Sequence, residues 1–251
     1  MRWKALLAVI LCATSLTAVA SAGDLTLDEL LARNYETLGG LKAIKDVQSA
    51  RFTGTMAMMG MEAPVTLEFL RPNRVRTDFT IQGVTGTRAY DGERGWEIMP
   101  FMGKTEPTEM SKDDLKDLIE RADIDGPFVD WKEKGHQVEL IGREDVEGTD
   151  AYKVKLVNKN GDVSYHYFEA EHCLEFMVEG TRVIQGNETK YTTLIGDYKQ
   201  VGDLVVPHSF ESSYGDATQT ITLTKVEYNV EVDPDRFVMP VPAEAGASDG
   251  N

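Results

Sequence analysis

Two periodicities divide the chain. Between Leu27 and Leu38, apolar side chains recur at three- and four-residue steps (Leu27, Leu30, Leu31, Tyr35, Leu38), which places them on one face of an α-helix. Thr26-Leu27-Asp28-Glu29 supplies a capping box at its start: the threonine hydroxyl can accept from a backbone N–H, and Glu29 can reach back. Gly39-Gly40 ends the run, because glycine readily takes the left-handed conformation of a helix terminus. A short second helix is predicted over Leu41–Val47. From about Gln48 the period changes to two. Segments 50–58, 65–70, 75–81, 84–90 and 95–99 read as strands separated by Gly, Pro or Asp-Gly signals. A helical stretch interrupts them, opening at Ser111-Lys112-Asp113-Asp114 with Leu115, Leu118, Ile119 and Ala122 on one face, and closing at Asp125-Gly126-Pro127. Phe128, Val129 and Trp131 then fall in a loop. Strands resume at 137–145, 151–158, 163–169, 174–184, 189–199, 204–213 and 218–230, with Asn160-Gly161 as a two-residue hairpin turn. In the last segment Ile221 and Leu223 have one parity while Val226, Tyr228 and Val230 have the other, so a bulge is expected near Lys225.

About a dozen antiparallel strands with two or three helices define an α+β protein. A sheet that wide curls, and the helices' apolar faces need a surface to cover. The expected architecture is an unclosed antiparallel β-barrel whose helices lie over a concave apolar cavity. One domain is expected over 23–240. Ahead of it, Arg2 and Lys4, the apolar run Ala5–Val19 and Ala20-Ser21-Ala22 have the order of a cleaved secretory signal peptide at 1–22. Behind it, 241–251 is polar and small-residue-rich and is expected to be a disordered acidic tail. The leader predicts export, to the periplasm.

Charge narrows the partners. With 26 Lys and Arg against 42 Asp and Glu, the formal charge is −16. Such a surface repels nucleic acid and anionic headgroups. Of the two cysteines, Cys12 lies in the leader and Cys173 stands alone in the domain, so no internal disulfide is expected. The domain's histidines, His136, His166, His172 and His208, lack zinc-helix spacing, and Cys-x-x-Cys, G-x-S-x-G, Walker and dinucleotide patterns are missing. Neither a metal, a cofactor nor catalysis is expected; a hydrolase reading would rest on His136, His166 and Cys173.

The positive chemistry is apolar. Met56, Met58, Met59 and Met61 cluster, and Met56 and Met58 share a strand face. Methionine lines surfaces that accept varied apolar shapes, although an ordinary core with a hairpin tip accounts for the same cluster. With Phe69, Phe79, Trp96, Phe101 and Leu118, Met56 and Met58 are the candidates for the cavity wall. Arg71 has two readings. It is a solvated or acid-paired strand end, or its fork of donors holds a helix C-terminus or loop carbonyls across the cavity mouth. A charge-assisted latch of that kind is worth roughly 1.5–3 kcal/mol.

The stretch Phe69-Leu70-Arg71-Pro72-Asn73, followed by Asp91-Gly92, Trp96 and Pro100-Phe101, resembles the periplasmic lipoprotein carrier family LolA. The wider order of Leu38-Gly39-Gly40, Gly126 to Trp131, Val146 to Tyr152, Asp197-Tyr198 and Leu204 to Pro207 is similar to the outer-membrane lipoprotein-sorting proteins, over roughly 27–240. The resemblance implies an unclosed barrel with a helical lid over an acyl-chain cavity, and it gives Arg71 the role of lid latch. It also implies lipoprotein acyl chains or another lipid as cargo, with an inner-membrane release machinery and an outer-membrane acceptor as partners; the chain is expected to be a monomer. The Met-rich hairpin and the tail depart from the LolA pattern. An envelope sensor or interaction module on the same scaffold is the alternative function.

Overall fold

A computed structural model describes residues 24–184 and 187–241. The leader expected at 1–22 and all but the first residue of the expected tail fall outside them. The first half of the chain forms helices α1 (Leu27–Thr37) and α2 (Leu41–Asp46), then strands β1 (Ser49–Met58), β2 (Met61–Leu70), β3 (Arg74–Ile81), β4 (Val84–Tyr90), β5 (Gly95–Met99) and β6 (Lys104–Glu109), then helix α3 (Lys112–Arg121). The second half contains β7 (Gln137–Val146), β8 (Thr149–Val157), β9 (Val163–Glu169), β10 (Glu175–Ile184), β11 (Asn187–Gly196), β12 (Lys199–Val201), β13 (Leu204–Val206), β14 (Ser209–Tyr214) and β15 (Ala217–Tyr228).

Thirteen strands make one antiparallel sheet in the order β6-β5-β4-β3-β2-β1-β15-β14-β11-β10-β9-β8-β7. Long β1 and β15 zip the two halves together, and the sheet curves without closing: β6 and β7 remain edges. Both edges are blunted. Strand β6 carries Lys104, Glu106, Pro107 and Glu109, and β7 carries charges and a register shift between Leu140 and Gly142. Charge, proline and bulges each discourage another strand from adding there.

The bulge expected near Lys225 is present. Thr53 faces Lys225 but Gly54 faces Leu223, so β15 carries an extra residue at Thr224. A bulge tightens the local twist, and here it brings backbones together: a Cβ on Gly54 would lie 2.1 Å from the Thr222 carbonyl oxygen. The expected 204–213 strand is instead two. Pro207 has no N–H to donate to a ladder, and His208 turns back to donate its own N–H to the Gly196 and Asp197 carbonyls. Strands β12 and β13 therefore leave the main sheet as a separate hairpin. Strand β6, rich in exposed polar residues, had no apolar alternation to announce it.

Three patches cover the concave face. Helix α1, with the expected capping box intact, buries Leu30 and Leu31 against Phe128, Tyr152, Val154 and Phe168 of the β8–β9 side. Buried Asn34 secures it by donating to the Cys173 carbonyl at 2.8 Å. Over the middle of the sheet, the hairpin's Leu204 and Val206 pack with Val47, Leu223 and Val226. The hairpin also docks on the end of α1, where the Val205 N–H donates to Leu38, and at Gly39 a Cβ would meet the Asp203 carbonyl oxygen at 2.0 Å. Helix α3 forms the third patch.

On the convex face, the segment after β15 folds back as a clasp. Fully buried Phe237 accepts a 2.7 Å hydrogen bond at its carbonyl from Trp96 Nε1. Arg236 donates to Glu68 and Asp78, Arg51 donates to the same buried Glu68, and Arg76 donates to the Arg236 carbonyl. Truncating Phe237 leaves a cavity beneath this clasp. Phe237→Ala is expected to lower unfolding stability by about 3–5 kcal/mol, read as a lower urea midpoint at unchanged m-value.

Candidate functional site

Helix α3 has two unlike faces. Ser111 caps its start, accepting from the Asp114 N–H at 3.1 Å. Leu115, Leu118, Ile119 and Ala122, at helical spacing, pack on Ala50, Phe69, Val75 and Tyr90 of the concave face. Leu115 seats over Gly95, where an added Cβ would come within 2.4 Å of its Cδ1. The other face is ionic and reaches across the barrel. Lys116 donates to Asp162 at 2.6 Å, Arg182 pairs with Asp117 at 3.4 Å, and Asn158 donates to Glu120 at 2.5 Å. A single ten-residue helix thus spans the concavity, apolar toward β1–β5 and polar toward β8–β10.

Arg71 ties this helix to α2. It follows β2 at a cis Arg71–Pro72 bond. Its guanidinium donates twice to Asp125, at 2.8 and 2.5 Å, in the turn that ends α3. The same side chain donates to the Val47 carbonyl and, at 3.3 Å, to the Lys45 carbonyl at the C-terminus of α2. A planar fork suits this combination of one carboxylate and several carbonyls better than an ammonium would. The bond to Asp125 holds the arginine pKa above its ordinary value. Of the two sequence readings of Arg71, the geometry combines both: the residue is acid-paired, and it caps a helix end.

Between α3's polar face and β8–β11 lies a cavity of about 580 Å³. Its wall is mixed. Ile119, Leu156 and Val178 stand beside Arg121, Arg182 and Tyr191. None of the seven apolar candidates lines it. Phe69 and Leu118 are buried in the contact under α3. Phe79 and Phe101 pack on each other, ring centroids 5.5 Å apart, above Gly86. Met56 has concave-face parity, opposite Ala63 and Ile221, and its sulfur lies 2.9 Å from Gln219 Nε2. Met58 sits at the exposed β1–β2 tip with Met59 and Met61. Trp96 requires a correction: it is on the convex face, under Phe237 and with the Arg76 guanidinium 5.6 Å from its ring centroid. Strand alternation put Trp96 on one face but could not say which. The cavity is polar because α3 already occupies the apolar part of the concavity.

Sequence reasoning missed Arg121, Asp125 and Arg182. A signal existed for Arg182: it shares strand parity with Val178 and Gly180, so a charge interrupts the inward row of β10. Arg121, in the last turn of α3, looked like an ordinary complement to the helix dipole.

A second polar chain opens on the same cavity. Ser164 Oγ lies 2.8 Å from His166 Nε2, and His166 Nδ1 makes a short contact to Glu175. The order matches a nucleophile–base–acid relay. Ser164, however, is mid-sheet, paired with Leu156 on one side and Gly180 on the other. The ladders on both sides take up the surrounding backbone N–H groups, leaving none free beside Ser164 to stabilise an oxyanion. The chain serves to satisfy buried His166, which also packs edge-on against Phe128 at 4.8 Å.

Neither the protein-family models nor the curated proteins give a match to this chain. Solved structures do. A LolA superfamily protein from Nitrosomonas europaea superposes with a TM-score of 0.58 at 10% identity, covering 86% of this chain and 98% of its own. A Vibrio parahaemolyticus domain carrying the outer-membrane lipoprotein-sorting designation gives 0.56 at 13% identity, covering 84% and 93%. A DUF1329 family protein from Desulfovibrio piger gives 0.50 at 10% identity, covering 82% and 95%. At these identities the likeness is one of fold: this chain has a LolA-like unclosed barrel. Among the described residues, no helix is long and apolar enough to cross a membrane.

Cys173 is fully buried beneath α1, and burial raises its thiol pKa. Reactive thiols are exposed and have a lowered pKa. Cys173 is therefore expected to resist a disulfide-exchange reagent at pH 8 in the native protein and to react promptly in 6–8 M urea, at denaturant strengths of the order that unfold small domains.

Proposed function

We propose that the protein is a periplasmic carrier that receives acyl chains of a lipoprotein or another lipid against the concave face now covered by α3. The observation that carries this reading is the covering itself: the apolar surface formed by Ala50, Phe69, Val75 and Tyr90 is closed by one short helix. On its far side that helix is held by partly exposed ion pairs, Lys116–Asp162 and Arg182–Asp117. Such pairs contribute little each, so α3 can be displaced without unfolding the sheet. An acyl chain that replaces Leu115 and Leu118 regains the lost burial at about 0.8 kcal/mol per methylene. The LolA-like fold and the leader-like residues 1–22 support the same reading. A carrier of this kind would be loaded at the inner membrane and unloaded at an outer-membrane acceptor, without covalent chemistry.

Arg71 and Asp125 would then set the cost of opening. Their two-pronged bond, worth roughly 1.5–3 kcal/mol, anchors the end of α3 to α2 and the β2 terminus. Removing it shifts the lid toward the open state. Arg71→Leu and Asp125→Asn are each expected to tighten binding of a fluorescent fatty-acid probe by about tenfold or more, the equivalent of about 1.4 kcal/mol. Faster amide exchange over 112–122 should accompany this. Unchanged affinity in both variants would remove the latch. Failure of the parent protein to bind any acyl probe would remove the carrier.

A further inference from the structure

We propose that the cavity between α3 and β8–β11 is an oxyanion site, centred on Arg121, that holds the phosphate or carboxylate headgroup of an anionic amphiphile. The acyl half of this inference rests on the carrier reading; the anion half does not.

Arg121 is the argument. It stands in the last turn of α3 at the cavity wall, where it is exposed to solvent. Among the described residues it makes no hydrogen bond and no ion pair. The other cavity charges are accounted for differently. Asp162 accepts from Lys116, Asp123 from Lys134, Glu120 from Asn158, and Asp117 pairs with Arg182. Exposed Asp113, Glu188 and Lys159 stand at the rim. The ionisable groups that act on Arg121 are Arg182, Tyr214, Asp117 and Arg88. Two are cations, and the single carboxylate already serves Arg182. An anion between the two guanidiniums would relieve their repulsion.

The surroundings suit an oxyanion. Arg182 is pre-positioned, its guanidinium 4.6 Å from the centroid of the Tyr191 ring, and Tyr191 lies over Gly180, where a Cβ would meet it at 2.7 Å. A guanidinium has five N–H donors, so Arg182, while pairing with Asp117 through one of them, has others to offer a phosphate or carboxylate. Hydroxyls on the same inward rows line the wall as well, Ser164 of β9 bonded to His166 and Thr193 of β11 bonded to Ser212. The cavity adjoins α3 through Ile119, which belongs also to the apolar contact beneath the helix. A headgroup at Arg121 therefore places its chain at the edge of the surface that α3 covers. The overall charge of −16 makes this local cationic pair a selective feature, not a part of a general basic surface.

The test is calorimetric titration of the full-length processed protein, and of Arg121→Gln and Arg121→Lys, with dodecyl phosphate, dodecyl maltoside and inorganic phosphate. Dodecyl phosphate is expected to bind the parent protein at least tenfold more tightly than dodecyl maltoside. Arg121→Gln should erase that preference while leaving the maltoside affinity unchanged, and Arg121→Lys should keep part of it. Inorganic phosphate should bind weakly and compete. Equal affinity for the two amphiphiles, or a preference that survives in Arg121→Gln, overturns the anion site and leaves the carrier standing. Inorganic phosphate binding as tightly as dodecyl phosphate, with loss in Arg121→Gln, keeps the anion site and overturns its use for an amphiphile. If none of the three binds, the site is overturned together with the carrier.

Discussion

A sheet that bends far enough to face itself without closing has one surface that must be kept from water, and the whole molecule is arranged around that constraint. The concave side of β1–β5 and β15 presents Phe52, Leu67, Phe69, Val75 and Tyr228, while the edges β6 and β7 never meet. A closed barrel would fill its interior with its own strands' side chains. Here the gap between the edges leaves room for other elements to enter, and each covering element is short: eleven residues in α1, ten in α3, and three in each strand of the β12–β13 hairpin. Short covers are individually weak, because an isolated helix of this length has little stability of its own. Their positions are therefore set by what they touch. Gly39 and Gly95 mark places where contact is closest, each with a neighbour that a Cβ would overlap.

The three covers differ in what they would cost to remove. Helix α1 is held by buried Leu30 and Leu31 and by buried Asn34, with Tyr35 and Thr37 donating to the Phe128 and His172 carbonyls. The hairpin is held by hydrophobic contact and by its backbone bond to Leu38. Helix α3 buries only Leu118 fully and meets the opposite wall through solvent-accessible charges. Local opening follows the element with the fewest buried contacts. On that ground α3 is the cover that would move in the proposed carrier, and Arg71, at the junction of α3, α2 and the end of β2, is the group whose bonds would change with it.

Much of this was legible in the residues, and the limit of legibility has a physical form. The capping box of α1, the face of α3 and the parity switch near Lys225 are local signals, and local geometry answers them. The Arg-Pro-Asn step also gave Arg71 its two readings, which the Asp125 carboxylate and the α2 carbonyls join into one. What alternation cannot supply is the sign of a face. Trp96 and Phe69 both look like inward aromatics, yet one lies under Phe237 on the convex side and the other under Leu118 on the concave side. Nor can a list of apolar residues reveal which are already paired with each other. Phe79 with Phe101, and Phe69 with Leu118, satisfy one another, so the open space falls where polar side chains are.

That displacement changes what kind of ligand the fold is suited to in this chain. A purely hydrocarbon ligand gains little from a wall bearing Arg121, Arg182 and Tyr191, and it would strip water from two guanidiniums without replacing those hydrogen bonds, which opposes binding. A free oxyanion would pair with the arginines but would leave the apolar surface beneath α3 sealed and unused. Only a molecule with both parts makes the two halves of the site interdependent. Because Arg121 and Leu118 are carried by the same helix, an anion that draws Arg121 deeper toward Arg182 also pulls on the turn whose leucine closes the apolar face. Under the proposed reading, headgroup binding and lid position would be one equilibrium, which a ligand shifts only by its difference in affinity for the two lid states. Arg71 would oppose that shift through Asp125, four residues beyond Arg121 on the same covering segment.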